Sequence, residues 1–231
     1  MSSPPPGPVP VAFCPCPPLL LPQVAGRAAA DTAGLRGACA EAVDAVLAVR
    51  PEVVVVVAPD AEGRYGPGDG GDLRGFGVDV EQPLAGGTRP GGRPTPLGLT
   101  VGAWLLDAAG HAGARVGVGP QDLADVVAGL RGPVGVLAMG DGSARRSLKA
   151  PGHLDDAAAP FDAAVAAALA AGDAAALAGL DVAEGARLMA AGVPVWRAVG
   201  ALLAGRGVTG RLLADEAPFG VGYLVAAWQS S

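Results

Sequence analysis

Three cysteines carry the most reactive side chains in this sequence. Cys14 and Cys16 flank Pro15 directly after an apolar run, where a thiolate of lowered pKa could bind a metal or attack an electrophile. Their spacing is too short for the usual zinc knuckle, and no second Cys or His pair completes four ligands. The alternative is that both are small buried residues in a tight loop. Cys39 lies on the apolar side of a predicted helix and is expected in the core.

Residues 140–146 (GDGSARR) concentrate flexible backbone, a carboxylate, a hydroxyl and two guanidinium groups. Such a segment could hold an anion, and it makes Asp141, Ser143, Arg145 and Arg146 candidate ligand-binding residues. The alternative is a polar turn in which the aspartate caps a helix and the arginines pair with surface acids. The glycines of residues 66–72 match no phosphate-binding fingerprint and favour a flexible loop.

Histidine is scarce, because the chain contains only His111 and His153. A surface position is the more common role for either one alone, although the loop that carries His153 could cover a cleft. Asp215 and Glu216 precede a proline in the last predicted strand connection. Neighbouring side chains on an extended segment point to opposite sides, so at most one of these acids is expected to face a shared site.

Apolar runs alternate with helical periodicities along the chain, which is typical of an α/β fold. Residues 53–58 (VVVVVA) form an uninterrupted apolar run, the pattern of a parallel strand covered on both faces. We predict one α/β domain with a mostly parallel central sheet and helices on both faces. The predicted strands span residues 9–13, 53–58, 114–118, 133–139, 211–214 and 222–227. The predicted helices span a segment that Asp31 or Thr32 caps and that ends before Pro51, residues 99–109, residues 121–130 and several segments within 160–203.

The carboxyl ends of parallel strands gather their loops at one edge of a sheet. Residues 14–18, 59–60, 140–143 and 215–220 are therefore expected to line one cleft. The segment from residue 59 to residue 96 is rich in Gly and Pro and is predicted to be a long functional or mobile loop.

Composition restricts the classes of function. The 231 residues suit one domain, and a net charge of -6 with no basic run argues against nucleic-acid binding. No apolar stretch reaches the roughly 18 residues that a bilayer crossing needs. The odd number of cysteines and the absence of a secretion signal favour the cytoplasm. Residues 1–8 are predicted to be a disordered lead-in to a domain that spans residues 9–231.

Three separated segments resemble one protein family. They are residues 13–22 (FCPCPPLLLP), residues 139–155 with the sequences MGDGSARR and APGHLD, and residues 216–223 (EAPFGVGY). Their order and spacing resemble the B-type catalytic chains of class III extradiol ring-cleavage dioxygenases, particularly their small, alanine-rich, actinobacterial-type branch. The resemblance covers nearly the whole chain and implies the fold of these extradiol dioxygenases.

That family resemblance implies an Fe(II) centre held by two histidines and a glutamate, with another histidine as acid and base. This sequence has Cys16 where the first ligand histidine is expected and no histidine near Asp60, where the second is expected. Ala144 stands at the acid/base position, and only Glu216 matches. Ring cleavage with Fe(II) as cofactor is therefore not expected of this chain.

Two interpretations follow. The missing imidazoles favour a domain that has lost ring cleavage and binds a small anionic or aromatic molecule, or a protein partner, in the strand-end cleft. A homo-oligomer is compatible with this interpretation. The alternative is an oxidoreductase or another enzyme with a rebuilt site, in which Cys16 acts as a nucleophile or Cys16, Asp60 and Glu216 hold Zn²⁺, and His153 carries protons.

Two subsidiary expectations concern the strand-end loops. Residues 140–143 and 216–223 are retained although a mere scaffold would hardly need them for folding, which supports the enzyme interpretation. Glu216, if it is buried without a metal, is expected either to pair with Arg145 or Arg146 or to have a raised pKa.

Overall fold

The computed structural model describes residues 7–231, which contain nine strands and eight α-helices. The strands are β1 (Val11–Cys14), β2 (Val53–Val57), β3 (Arg64–Tyr65), β4 (Gly70–Asp72), β5 (Glu81–Pro83), β6 (Ala114–Val118), β7 (Val134–Met139), β8 (Val208–Glu216) and β9 (Tyr223–Ser230). The helices are α1 (Pro22–Ala25), α2 (Ala33–Leu47), α3 (Leu97–Ala108), α4 (Leu123–Gly129), α5 (Ala158–Ala171), α6 (Ala174–Ala178), α7 (Val182–Arg187) and α8 (Val193–Leu202). Short 3-10 turns span Pro18–Leu20, Gly26–Ala30, Arg74–Phe76 and Pro120–Asp122.

Seven strands form one sheet in the order β3-β6-β2-β7-β1-β9-β8. The four central strands β6, β2, β7 and β1 pair in parallel, and β3, β9 and β8 add antiparallel pairings at the two sides. Because β8 is antiparallel to β9, it runs in the direction of the central strands, so five of the seven strands share one direction. The predicted α/β class with a mostly parallel sheet is therefore confirmed.

The valine run of β2 is apolar throughout because helices cover both of its faces. Val54 and Val56 pack into the core that contains α2 and α3. Val55 and Val57 point the other way, into the core that contains α4, α5 and α8. Successive side chains of a strand alternate between faces, so each half of the run fills a different core.

The first long helix begins where the sequence predicts it but is not capped as predicted. No side chain caps its amino end, and the Thr32 hydroxyl instead donates a hydrogen bond to the Leu19 carbonyl at 3.1 Å. Thr32 is buried, so this bond attaches the start of α2 to the loop that follows β1. The prediction of a side-chain cap at Asp31 or Thr32 was wrong because Thr32 serves this tertiary contact.

The segment between β2 and α3 is more ordered than its composition indicates. It contains β3, the β4–β5 hairpin and one 3-10 turn, and it buries Tyr65, Leu73 and Leu84 against the α2–α3 core. These three apolar residues are spaced among Gly, Pro and charges, so no periodicity reveals them in the sequence.

Most of the predicted lead-in, residues 1–6, lies outside the described residues. Gly7 is exposed, and its carbonyl accepts a hydrogen bond from the Arg206 guanidinium. None of the helices within residues 7–231 combines the length and the apolar character that a membrane crossing requires.

Candidate functional site

Loops from three parts of the chain meet at the carboxyl edge of the sheet. The Cys16 amide donates a hydrogen bond to Asp141 Oδ1 at 2.8 Å, which joins the loops after β1 and β7. The Gly142 amide donates to the Gly222 carbonyl at 2.7 Å, and the Gly222 amide donates to the Ser143 carbonyl at 2.9 Å, which joins the β8–β9 turn. These bonds bring three of the four expected loops into contact at this edge, and the cleft that residues 14–18, 59–60, 140–143 and 215–220 were expected to line stays a prediction.

Asp141 is the central ionisable group of this edge. Burial raises the pKa of its carboxyl from 3.8 to about 6, and the hydrogen bond from the Cys16 amide offsets part of that effect. No basic side chain of the described residues contributes to the shift. The carboxyl therefore exchanges its proton close to neutral pH, in an environment without a compensating cation.

Cys16 and Tyr223 lie beside Asp141. Burial and then the negative charges of Asp141 and Asp60 raise the pKa of the Cys16 thiol well above its ordinary value. Burial, with the same Asp141 charge, also raises the pKa of the Tyr223 phenol. Both groups are therefore neutral at pH 7, and Cys16 lacks the lowered pKa that a thiolate nucleophile needs.

Asp60 completes the cluster from the loop after β2. Its side chain lies at the first turn of α3, with Oδ1 3.2 Å from the position that a Cβ on Gly98 would occupy. The partial positive charge of a helix N-terminus favours a carboxylate there. We call Cys16, Asp60, Asp141 and Tyr223 the strand-end cluster.

Glu216 is separate from this cluster. It is exposed at the end of β8, and its Oε1 lies 3.9 Å from the position of a Cβ on Gly34, in the first turn of α2. Within residues 7–231, no group of three or more His, Cys, Asp or Glu side chains is arranged to hold a metal ion. The structure thus does not bring Cys16, Asp60 and Glu216 together, and these residues do not fit the Fe(II) that the family resemblance implies or the Zn²⁺ considered as its replacement.

Arg146 pairs with an acid that the sequence did not single out. Its Nη1 lies 2.8 Å from Oδ2 of Asp162, a fully buried residue of α5. The Ser143 amide donates to the other oxygen of the same carboxylate at 2.8 Å, and the Ser143 hydroxyl donates to the Leu188 carbonyl at 2.8 Å. Ser143 and Arg146 therefore attach the loop to the rest of the protein, and both the Ser143 hydroxyl and Arg146 Nη1 are occupied by protein groups.

Asp162 also explains two glycines of the strand-end loops. A Cβ on Gly222 would lie 2.2 Å from Asp162 Oδ2, and one on Gly142 would lie 2.8 Å from Oδ1. Only glycine leaves room for the buried carboxylate at these positions. Packing around Asp162 therefore accounts for glycine at positions 142 and 222, and these two residues do not favour the enzyme interpretation.

Arg145 and His153 lie on the neighbouring surface loop. Arg145 Nη1 is 3.7 Å from the Asp155 carboxylate, and Arg146 pairs with Asp162. Neither arginine therefore pairs with Glu216. The predicted pairing was wrong because Glu216 is exposed. His153 is exposed with a left-handed backbone (φ +60°), and its Nδ1 lies 2.9 Å from the Leu148 carbonyl. The His153 imidazole is therefore hydrogen-bonded within its own loop.

The signal that could have identified Asp162 is its helix context. It is a charged residue inside an alanine-rich helix, on the side that carries Val165 and Leu169 into the core. A buried carboxylate must be paired or hydrogen-bonded, so this position alone predicts a basic partner.

The chain matches none of the models of known protein families, and no curated protein is significantly similar to it. Its function must therefore be inferred from the geometry of the strand-end cluster and from the sequence resemblance given above.

Proposed function

We propose that this protein is a divergent relative of the B-type catalytic chains of class III extradiol dioxygenases, one that binds a small molecule at the strand-end cluster and does not cleave aromatic rings. The observation that carries the proposal is the position of Asp141, which accepts the Cys16 amide at 2.8 Å and whose raised pKa places a readily protonated carboxyl near the neutral thiol and phenol of Cys16 and Tyr223. Ligands in open α/β sheets commonly bind at this edge.

The charge of the cluster specifies the ligand class more narrowly than the sequence does. Asp141 and Asp60 contribute negative charge, whereas Arg146 is paired with Asp162 and Arg145 shares the Asp155 carboxylate with Arg187. An anionic ligand would be repelled, and a neutral or positively charged molecule with hydrogen-bond donors would be attracted. The ligand is therefore a neutral diol or an amine rather than a carboxylate.

The same groups disfavour the catalytic alternatives. The raised pKa of Cys16 keeps its thiol protonated at neutral pH, which weakens it as a nucleophile. The His153 ring is exposed and bonded to its own loop, so it is not positioned as a proton carrier for the cluster.

Three aromatic probes of similar size and different charge test the proposal: catechol, benzylammonium and benzoate, each titrated calorimetrically into the purified protein. We expect saturable binding of catechol and benzylammonium and none of benzoate. Affinity for benzylammonium should increase from pH 5 to pH 7, because Asp141 ionises over this range. Oxygen consumption with catechol and added Fe(II) should remain at the level of the buffer.

Two variants locate the binding. Asp141→Asn keeps an acceptor for the Cys16 amide but removes the charge, and it should weaken benzylammonium binding at pH 7 at least tenfold. Asp125→Asn changes an exposed acid of α4 and should bind as the parent protein does. Ring opening of catechol, preferential binding of benzoate, or unchanged binding by Asp141→Asn would refute the proposal.

A further inference from the structure

A polar cavity of about 640 Å³ lies within the segment that joins β2 to α3. Gly68 and Gly70 form part of its wall, and its charged lining residues are Arg74, Arg89, Arg93, Asp72 and Glu81. None of its lining residues belongs to the strand-end cluster. The lining thus carries three guanidinium groups against two carboxylates, in a chain whose net charge is -6.

Both carboxylates that line the cavity form ion pairs with the same arginine, Arg74. Arg74 Nη2 lies 3.1 Å from Asp72 Oδ2 and 3.7 Å from Glu81 Oε1. All three side chains are exposed, so each pair contributes little to stability, and the two carboxylates exceed the charge of Arg74 by one. With Arg89 and Arg93 added, the three guanidinium groups and two carboxylates of the lining leave a net charge of +1.

Arg93 is held in place mainly by uncharged groups, and, among the described residues, the one carboxylate whose charge acts on it is that of Asp69. Its guanidinium donates to the backbone carbonyls of Arg64 and Glu62 at 3.1 and 3.0 Å and lies 4.0 Å from the centre of the Tyr65 ring. The carboxylate of Asp69 accepts hydrogen bonds from the backbone amides of Gly66 and Arg93, at 2.9 and 2.8 Å, so both of its oxygens are used within the loop. A guanidinium fixed over an aromatic ring is already ordered before any ligand arrives.

The backbone and the aliphatic part of the Arg89 side chain are held in place, whereas its guanidinium group forms no ion pair in the described part of the chain. Its amide donates to the Gly68 carbonyl at 3.1 Å, and its carbonyl accepts from the Gly92 amide at 2.9 Å. The side chain crosses Gly68, where an added Cβ would lie 3.1 Å from Arg89 Cδ. Within residues 7–231, Arg89 forms no ion pair within 4.0 Å, and neither does Arg93.

We propose that this cavity is a binding site for a small oxyanion, a phosphate or carboxylate group, which the Arg89 guanidinium grips and the Arg93 charge attracts. A guanidinium presents parallel N–H donors that match two oxygens of such a group. The site is independent of the strand-end cluster, whose acidic charge selects the opposite ligand class.

The test uses inorganic phosphate and malonate as separate probes at constant ionic strength, with amide chemical shifts of the isotope-labelled full chain as the readout. We expect saturable shifts at Gly68, Gly70 and Gly92, with a dissociation constant on the order of millimolar for an exposed site of this kind. Saturation by phosphate alone identifies a tetrahedral anion, and saturation by malonate alone identifies a carboxylate.

Three variants distinguish specific anion binding in the cavity from non-specific attraction of anions to surface arginines. Arg89→Gln should weaken binding at least tenfold, and Arg89→Lys, which keeps the charge but loses the paired donors, should give an intermediate loss. Arg131→Gln removes an exposed arginine outside the cavity and should change affinity less than twofold. Linear, unsaturated shifts with both anions, or equal affinities of Arg89→Gln and the parent protein, would overturn the proposal.

Discussion

Replacing Asp141 with asparagine should stabilise the fold at pH 7 and leave its stability nearly unchanged at pH 4. The substitution keeps the size of the side chain and the oxygen that accepts the Cys16 amide. It removes only the ability to ionise in a buried position. Such a gain from deleting a charge distinguishes a carboxyl that folding has desolvated from one that a salt bridge stabilises.

The magnitude follows from the two pKa values of the carboxyl. Burial raises its pKa to about 6 in the folded chain, against 3.8 for the ordinary group, which represents the unfolded chain. Each pH unit between the two values corresponds to about 1.4 kcal/mol, so ionising Asp141 in the fold costs roughly 3 kcal/mol. Because the folded state binds the proton more tightly, this stability is fully present below pH 3.8 and is lost as the pH rises through 6.

Urea unfolding at pH 4 and pH 7 measures the effect. Asp141→Asn should match the parent protein within about 1 kcal/mol at pH 4 and exceed it by up to roughly 3 kcal/mol at pH 7. The melting temperature at pH 7 should rise by several degrees, since 1 kcal/mol shifts a chain of this size by about 2–4 °C. Asp125→Asn, at an exposed site, should show no such difference between the two pH values. A loss of stability in Asp141→Asn that is equal at both pH values would show that the carboxylate is favourably bound, and the reasoning would fail.

Three further outcomes are expected. Asp162→Ala leaves the Arg146 guanidinium without its buried partner and should lower the free energy of unfolding by roughly 3–5 kcal/mol, measured in urea; a loss below about 1 kcal/mol would contradict the pairing. Gly222→Ala places a methyl group 2.2 Å from Asp162 Oδ2. It should destabilise the fold by at least about 1–3 kcal/mol more than Gly75→Ala, whose methyl group meets nothing within 4 Å. Equal melting temperatures of the two variants would contradict the close packing of Gly222 against the Asp162 carboxylate. All three cysteines are buried and the pKa of Cys16 is raised, so iodoacetamide at pH 7 should label the native chain slowly and all three thiols only in urea, by mass spectrometry; rapid native labelling would show an accessible thiolate.

Most of the regular structure could be predicted from the sequence. The runs that became β2 and β7 are continuous and apolar, and buried parallel strands need no other signal. The two closing strands were predicted but are longer than expected, because β8 is half exposed and its polar residues hide its length. Helix ends were less predictable, as the tertiary bond of Thr32 demonstrates.

The candidate site could be predicted only in part. Cys16, Asp60 and Asp141 follow strands that end at one edge, and their closeness is a consequence of topology. The role of Ser143 could not be inferred, because its partners Asp162 and Leu188 lie 19 and 45 residues away in the chain. A polar turn that binds a ligand and one that binds its own helix have the same local sequence.

The cavity of Arg89 and Arg93 was missed for a different reason. Its walls come from glycines and arginines that no motif groups together, and the buried Leu73 and Leu84 that hold the segment down are isolated in the sequence. Order in such a stretch arises from a few long-range contacts and not from local propensity.

The carboxylate of Asp162 attaches the loop after β7 to α5, and the amides of Cys16 and Gly222 attach the loop after β1 and the β8–β9 turn to that same loop. Because these bonds connect the loops to one another, displacing one loop breaks bonds of its neighbours. A substitution at Asp162 in α5 is therefore expected to shift Ser143 and Arg146 as well, so that a change within the helix is transmitted to the edge of the sheet.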